Sequence, residues 1–211
     1  AAEGQAEAGD PRRRGRLFAP DASPGSPGTT HLSVIDRDGL AIAVTASIET
    51  AFGSKRMAGG FLLNNQLTDF SFRHTAEDGR PIANAPDGGK RPRSSMAPTI
   101  VFDNGRAAIL TGSPGGSRIP EYVARSLVAM IDRRLDPAEA AALPHVSHRN
   151  RDVLVLEAGA HGEEVAGALV EMGHTVETAD MTSGLHIIRI APDGTLSGGA
   201  DPRREGVPLG D

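Results

Sequence analysis

The 211-residue chain has no cysteine and no tryptophan, and a single tyrosine beside six phenylalanines. The missing cysteine removes disulfide frameworks, thiol nucleophiles and thiolate metal sites together, and leaves the redox compartment open. No apolar run approaches the ~20 residues that span a bilayer, and the first residues lack the apolar core of a signal peptide. An excess of one charge is also lacking. Lys and Arg (22) are interspersed with Asp and Glu (27) to a net charge of −5, so there is no basic face for nucleic acid and no polybasic run for an anionic membrane. The histidines at 31, 74, 145, 148, 161, 174 and 186 are scattered; only His145 and His148 are close, at a spacing that matches no metal pattern. GSPGGS lacks the Lys-Ser/Thr ending of a phosphate loop. No metal, no organic cofactor and no nucleotide is expected.

The length fits one domain with a real core. Residues 1–28 are rich in Ala, Gly, Pro, Ser, Glu and Arg, with Leu17 and Phe18 as the one apolar pair, and are expected to be a flexible linker ending in DASPGSPG. The opening AAEGQAEAGDPRRRG, without an initiator Met, gives the expectation of a fragment. At Thr29 the texture changes, and residues 29–211 are expected to form the folded domain. Hairpins are predicted around Asp38-Gly39, Asn104-Gly105 and Asp193-Gly194. A polar stretch over 73–93 predicts a loop. IPEYVARSLVAMIDRRL predicts a helix whose apolar stripe is Val123, Leu127, Val128 and Ile131, followed by a short helix over 137–143, a strand VLVLE, and a helix GEEVAGALVEMG closed by Gly173. Antiparallel hairpins with a few helices point to layered α+β rather than a doubly wound parallel sheet.

The junction Gly28-Thr29-Thr30-His31 has chemical possibilities. A Thr hydroxyl alone is a poor nucleophile. Once the bond before it is cut, the freed α-amine, with an unperturbed pKa of roughly 7.7 to 8, can take the proton of its own hydroxyl. Gly28, without a β-carbon, suits the geometry that exposes its carbonyl to the Thr29 hydroxyl. Composition alone is equally consistent with Thr-Thr entering a strand for its β-propensity.

The segments TTHLSVIDRDGLAIAVTASIETAFGS, GFLLNNQLTDFS, RPRSSMAPTIV, LTGSPGGSRI and GGADPRR resemble, in order, the small-subunit motifs of γ-glutamyltransferases, over essentially all of 29–204. The resemblance implies a zymogen that cleaves itself between Gly28 and Thr29, and an N-terminal nucleophile hydrolase fold, an αββα sandwich shared with a large subunit. It implies an enzyme that passes a γ-glutamyl group from glutathione or another donor to water, an amino acid or a peptide. Thr29 matches the nucleophile and Ser47 a supporting Thr. Gln66 and Asp69 match residues that hold the substrate α-amino group, and Ser94 and Ser95 a pair that hydrogen-bonds its α-carboxylate. Gly115 and Gly116 match the oxyanion hole, which suits a Gly-Gly turn before a helix.

One position departs from the family. Glu49 stands in VTASIETAFG where the family usually has Asn, at a contact to the substrate's amino end. The extra carboxylate suits an ammonium or repels a more anionic donor, and it keeps open an acylase for another amide, such as a glutaryl or acyl side chain. A catalytically silent relative is the alternative from a different class. The 73–93 stretch lacks the Tyr with which some members close a lid, favouring hydrolysis. None of Arg12, Arg13 or Arg14 matches the large subunit's carboxylate-binding Arg. The resemblance favours a periplasmic or extracellular setting.

Overall fold

The Gly-containing turns identified above do fold hairpins, in two different ways. β1 (Thr29–Ile35) and β2 (Ala41–Ser47) are joined by a loop closed by a bond from Asp36 N–H to Leu40 O of 3.1 Å, with Gly39 at φ 87°. The Asp36 carboxylate secures it by accepting from the amides of Asp38 (2.9 Å) and Leu40 (2.8 Å). The turn is therefore longer than the two residues that Asp38-Gly39 suggests, and follows the three-residue loop type with a glycine in the left-handed region. Two-residue β3 (Met57–Ala58) and β4 (Phe61–Leu62) pair next. β5 (Thr99–Asp103) and β6 (Arg106–Gly112) are joined by Asn104 and Gly105 alone, at φ 49° and 78°, the tight form that Asn-Gly favours.

Helices α1 (Ile119–Ile131) and α2 (Pro137–Ala142) come next. α2 starts in a capping box, with the Asp136 side chain accepting from Glu139 N–H and the Glu139 side chain accepting from Asp136 N–H. They are followed by β7 (Val146–Ser147), β8 (Val153–Glu157), α3 (Ala160–Glu171), β9 (Thr175–Ala179), β10 (His186–Ile190) and β11 (Leu196–Ala200). The β10–β11 loop repeats the first hairpin's geometry, with Ala191 N–H on Thr195 O at 2.9 Å and Gly194 at φ 88°. This computed structural model describes residues 28–149 and 152–210, with only the backbone at 160 and 161; the expected linker, apart from Gly28, lies outside the described residues.

The chain divides into two compact units. One contains Gly28 and residues 47–94: β3, β4, a short 3-10 turn (Gln66–Asp69) and loops. The stretch 73–93 is a loop, as expected, with one isolated bridge between Thr75 and Pro81. The other unit, 29–46 with 95–210, holds the antiparallel sheet β11-β10-β6-β5. On one face of that sheet Ile109 and Ile187 pack with Tyr122, Ala129 and Met130 of α1 and Ala140 and Ala141 of α2. The opposite face carries β1, whose His31 ring fills the space above Gly112; a β-carbon there would lie 2.2 Å from the ring.

Two sequence expectations are corrected. The stripe of α1 that faces the sheet is Ile119, Tyr122, Val123, Ser126, Ala129 and Met130, while Val128 and Ile131 are exposed. Small residues allow the close approach, and Ser126 Oγ is satisfied by Val123 O at 2.8 Å. β9 was not expected, and it pairs parallel to β8 through the α3 crossover. TVETA has only two apolar residues and its partner lies one helix away, so neither alternation nor a turn announces it.

Two histidines are buried and held neutral. His31 Nδ1 is 2.7 Å from Thr45 Oγ1 and its Nε2 3.1 Å from Ser33 Oγ, while its carbonyl accepts from His186 Nδ1 at 2.6 Å. Burial, then the charge of His186, lowers its pKa to about 4. His145, stacked on Tyr122 at 4.1 Å between ring centroids, has Nε2 2.6 Å from Ser183 Oγ. Burial, then the charge of Arg203, lowers its pKa to about 4. Above the unfolded value of roughly 6.5 neither state binds a proton at these rings. As pH falls from there, the unfolded chain takes up two protons that the folded one refuses, so stability should decline progressively down to pH about 4. The loss should be on the order of 2 kcal/mol or more per histidine. Urea unfolding of the full-length protein at pH 8, 6.5, 5.5 and 4.5 checks this, and His145→Gln should flatten part of the slope. A stability that stays level from pH 6.5 to 4.5 would contradict the neutral, buried imidazoles.

Candidate active site

Ser47, the last residue of β2, turns its hydroxyl onto the carbonyl of Gly28 at 3.2 Å while accepting from Glu49 N–H at 2.9 Å. The Ile48 N–H reaches the same Gly28 oxygen at 3.4 Å. Gly28 is packed against the main chain at Glu49: a β-carbon on it would lie 1.9 Å from the Glu49 carbonyl oxygen. The carbonyl of the Gly28-Thr29 bond is thus held by two donors, at a point where no side chain fits. Thr29 is half-buried at the start of β1.

Glu49 itself is 6% exposed and has φ 73°, a left-handed conformation in which Glu is uncommon and Asn is at home. Its carboxyl lies against the Asp69 carboxyl and the Gln66 carboxamide, with Arg93 as the nearby cation. Burial, then the negative charge of Asp69 and a hydrogen bond with it, raises the Glu49 pKa above the ordinary carboxylate range; Gln66 and Arg93 oppose the shift. The neighbouring carboxylate makes a further negative charge at Glu49 unfavourable. The Gln66 side-chain amide also donates to Asp69 Oδ2.

Asn84 holds this cluster's backbone together. Its amide donates to Asp69 O at 2.5 Å and accepts from Arg93 N–H at 2.9 Å, while its own carbonyl takes Ser71 N–H at 3.0 Å. Thr50 secures the other side through Asn65 Oδ1, which accepts from its amide and its hydroxyl, both at 3.0 Å.

In the other unit, the β6–α1 loop carries Gly115 at φ 136° and Gly116 at φ 59°, then a 3-10 turn (Gly116–Arg118) running into α1. Both conformations favour glycine, and at Gly115 a β-carbon would lie 2.5 Å from the Tyr122 ring. Ser113, fully buried, braces this loop by donating to Pro114 O at 2.6 Å and accepting from Gly184 N–H at 3.0 Å. Arg149 braces the far end by donating to Ser117 Oγ. The turn is rigid, and the adjoining helix N-terminus favours negative charge.

Of the residues singled out from sequence, Ser47, Glu49, Gln66, Asp69 and Ser94 fall in the first unit, with Glu49, Gln66 and Asp69 in mutual contact. Thr29, Ser95, Gly115 and Gly116 fall in the second. Ser94 is exposed and Ser95 half-buried. Three participants lacked a sequence signal: Arg93, inside a quoted motif but unassigned; Asn84, in a polar loop; and the Ile48 amide, which no side-chain pattern reveals. Among the described residues, no group of three or more His, Cys, Asp or Glu could hold a metal.

The profile of the gamma-glutamyltranspeptidase family matches residues 3–210. The chain belongs to this family. It is 42% identical over 186 residues to the glutathione hydrolase proenzyme of Escherichia coli K12, which covers 83% of this chain and 31% of that protein. It is 36% identical over 184 residues to the acylase ACY 1 proenzyme of Pseudomonas sp. strain V22, covering 86% of this chain and 32% of that protein. The crystal structure of an acivicin-inhibited gamma-glutamyltranspeptidase superposes with a TM-score of 0.73 at 36% identity, over 84% of this chain and all of that one. The chain thus spans about a third of the length of the curated relatives it matches. The α+β fold is that of N-terminal nucleophile hydrolases of this family, as the motifs implied.

Asn84→Ala should leave the main chain at Asp69 and Arg93 without its bridging amide. The cost should be about 1 kcal/mol, since two part-buried main-chain groups lose their partner. Chemical denaturation of the full-length protein measures it, and an unchanged midpoint would mean that the amide is not what holds the cluster.

Proposed function

We propose that this chain is the catalytic part of a γ-glutamyl hydrolase and transferase, with Thr29 as the nucleophile after the Gly28-Thr29 bond is cut. The observation that carries the reading is the junction itself. A Thr begins the strand of a family member, and the carbonyl just before it is held by Ser47 Oγ–H and Ile48 N–H. After cleavage the Thr29 α-amine accepts the proton of its own hydroxyl as Oγ attacks the γ-carbonyl of the donor. The Gly115-Gly116 turn supplies N–H groups to the resulting oxyanion. The proton passes to the leaving amine, and water or an amino acid then takes the γ-glutamyl group from the Thr29 ester. The Asp69 and Glu49 carboxylates hold the α-ammonium of the donor, with Gln66 beside them, and Ser94 and Ser95 bind its α-carboxylate. A large subunit from the same precursor completes the protein.

A second reading, a related amide acylase, is favoured by one observation. The acylase ACY 1 relative matches at 36%, and this chain carries Glu49 where the family usually has Asn. Release of glutamate from glutathione by the full-length protein, set against release of acid from a glutaryl amide, separates the two.

Thr29→Ala in the full-length protein should abolish both precursor cleavage and turnover, because one hydroxyl makes both attacks. Two subunits on a denaturing gel would remove Thr29 from self-processing. With its pKa raised, Glu49 is protonated at a higher pH than an ordinary carboxyl, and only its ionised form attracts an ammonium. KM for a γ-glutamyl donor should therefore rise as pH falls through that range, and Glu49→Asn should weaken the rise and shift donor preference toward simple γ-glutamyl amides. Superimposable pH profiles and unchanged relative kcat/KM values would exclude Glu49 from the donor's amino end.

A further inference from the structure

The carbonyl of the bond to be cut has an environment of its own. The Gly28 oxygen accepts from Ser47 Oγ–H at 3.2 Å and Ile48 N–H at 3.4 Å. The same Ser47 oxygen accepts from Glu49 N–H at 2.9 Å, which orients the side chain. The opposite wall is the Glu49 carbonyl, standing 1.9 Å from where a β-carbon of residue 28 would be, with its carbon at 2.6 Å. Both obstructing atoms are main chain and cannot swing away as a flexible side chain would. The wall is anchored in turn, because Thr50 is tied to Asn65 and Asn65 N–H donates to Ile48 O at 3.2 Å.

We propose that Gly28 is a positioning residue for self-cleavage: only glycine lets the scissile carbonyl sit on the Ser47 and Ile48 donors, which stabilise the oxyanion of the processing step. This rests on the reading of Thr29 as the self-cleaving nucleophile. Thr29 Oγ attacks the Gly28 carbonyl carbon, and negative charge develops on the oxygen that the two donors face. When the tetrahedral centre collapses, the C–N bond breaks, the nitrogen takes the proton that Oγ gave up, and an ester joins Gly28 to Thr29. Water then cleaves the ester, leaving a Gly28 carboxylate and restoring the Thr29 hydroxyl beside its free amine. The ground-state distances are long for hydrogen bonds and shorten as charge builds on the oxygen. Any β-carbon at 28 must move the peptide away from Glu49, and so off the donors.

The test uses the full-length precursor, purified early and followed on denaturing gels as it converts to two subunits. Gly28→Ala should slow conversion at least about tenfold, and Ser47→Ala by about 10² or more, the usual effect of losing one oxyanion donor. Ser47→Thr, which keeps the hydroxyl, should restore most of the rate. Thermal unfolding distinguishes a cleavage defect from a folding defect, since the uncut Gly28→Ala protein should melt with the uncut Thr29→Ala protein. If Gly28→Ala does not fold, Ser47→Ala decides the matter, because it leaves Gly28 in place and only shortens a side chain. Conversion of Gly28→Ala or Ser47→Ala at the parental rate, while Thr29→Ala stays whole, overturns the inference and leaves the self-cleavage reading intact. Cleavage of Thr29→Ala overturns both.

Discussion

The larger unit is organised around one guanidinium. Arg203 binds Glu157 through both carboxylate oxygens (2.5 and 2.7 Å), Asp201 at 2.9 Å, and the carbonyls of Ala141 (3.2 Å) and Leu143 (3.0 Å). All five of its N–H groups are thereby used. The end of α2, the strand β8 and the segment after β11 meet at this point. Burial pushes the Glu157 and Asp201 carboxyls up, but hydrogen bonds from Arg203, with His145 N–H on Glu157 and Ser183 on Asp201, outweigh it and hold both below the ordinary carboxylate range. The same carboxylates continue the network to Ser183 and His145, and Asp201 also takes Leu185 N–H at 3.3 Å. A buried charge of this kind tolerates no partial removal, because any lost partner leaves another charge stranded. The sheet that carries the β6–α1 loop therefore has a stiff foundation.

The hairpin that begins with Thr29 reverses the usual order of a half-buried strand pair. Its inward positions are His31, Ser33 and Thr45, joined by hydrogen bonds, and its outward positions are Leu32, Val34, Ile42 and Val44, each at least 40% exposed. Polar contacts fix the register here because His31 can satisfy both ring nitrogens at only one setting. The strand that begins at Thr29 is held by geometry more than by apolar area.

Much of this was legible beforehand where local chemistry dictates local shape. The three turn glycines located the hairpins, Asp136 and Pro137 located α2, and the ordered motifs located Glu49, Gln66 and Asp69. What escaped depended on partners far along the chain. β9 pairs across a helix, and Asn84 acts on Asp69 and Arg93 from a loop with no periodicity. The α1 stripe was misplaced because Ser126 and Ala129 face the core, and hydropathy ranks neither above Val128 or Ile131. The hold on the Gly28 carbonyl joins residues nineteen and twenty positions apart through a hydroxyl and an amide, which one sequence cannot display.

The close approach of residue 28 to the Glu49 carbonyl also bears on how the gene can drift. Glycine codons reach only residues that carry a β-carbon by single-base missense change, and each would meet the same main-chain oxygen. A change at 28 therefore carries a movement of the main chain at 28 or at Glu49 with it, whichever side chain the new codon brings.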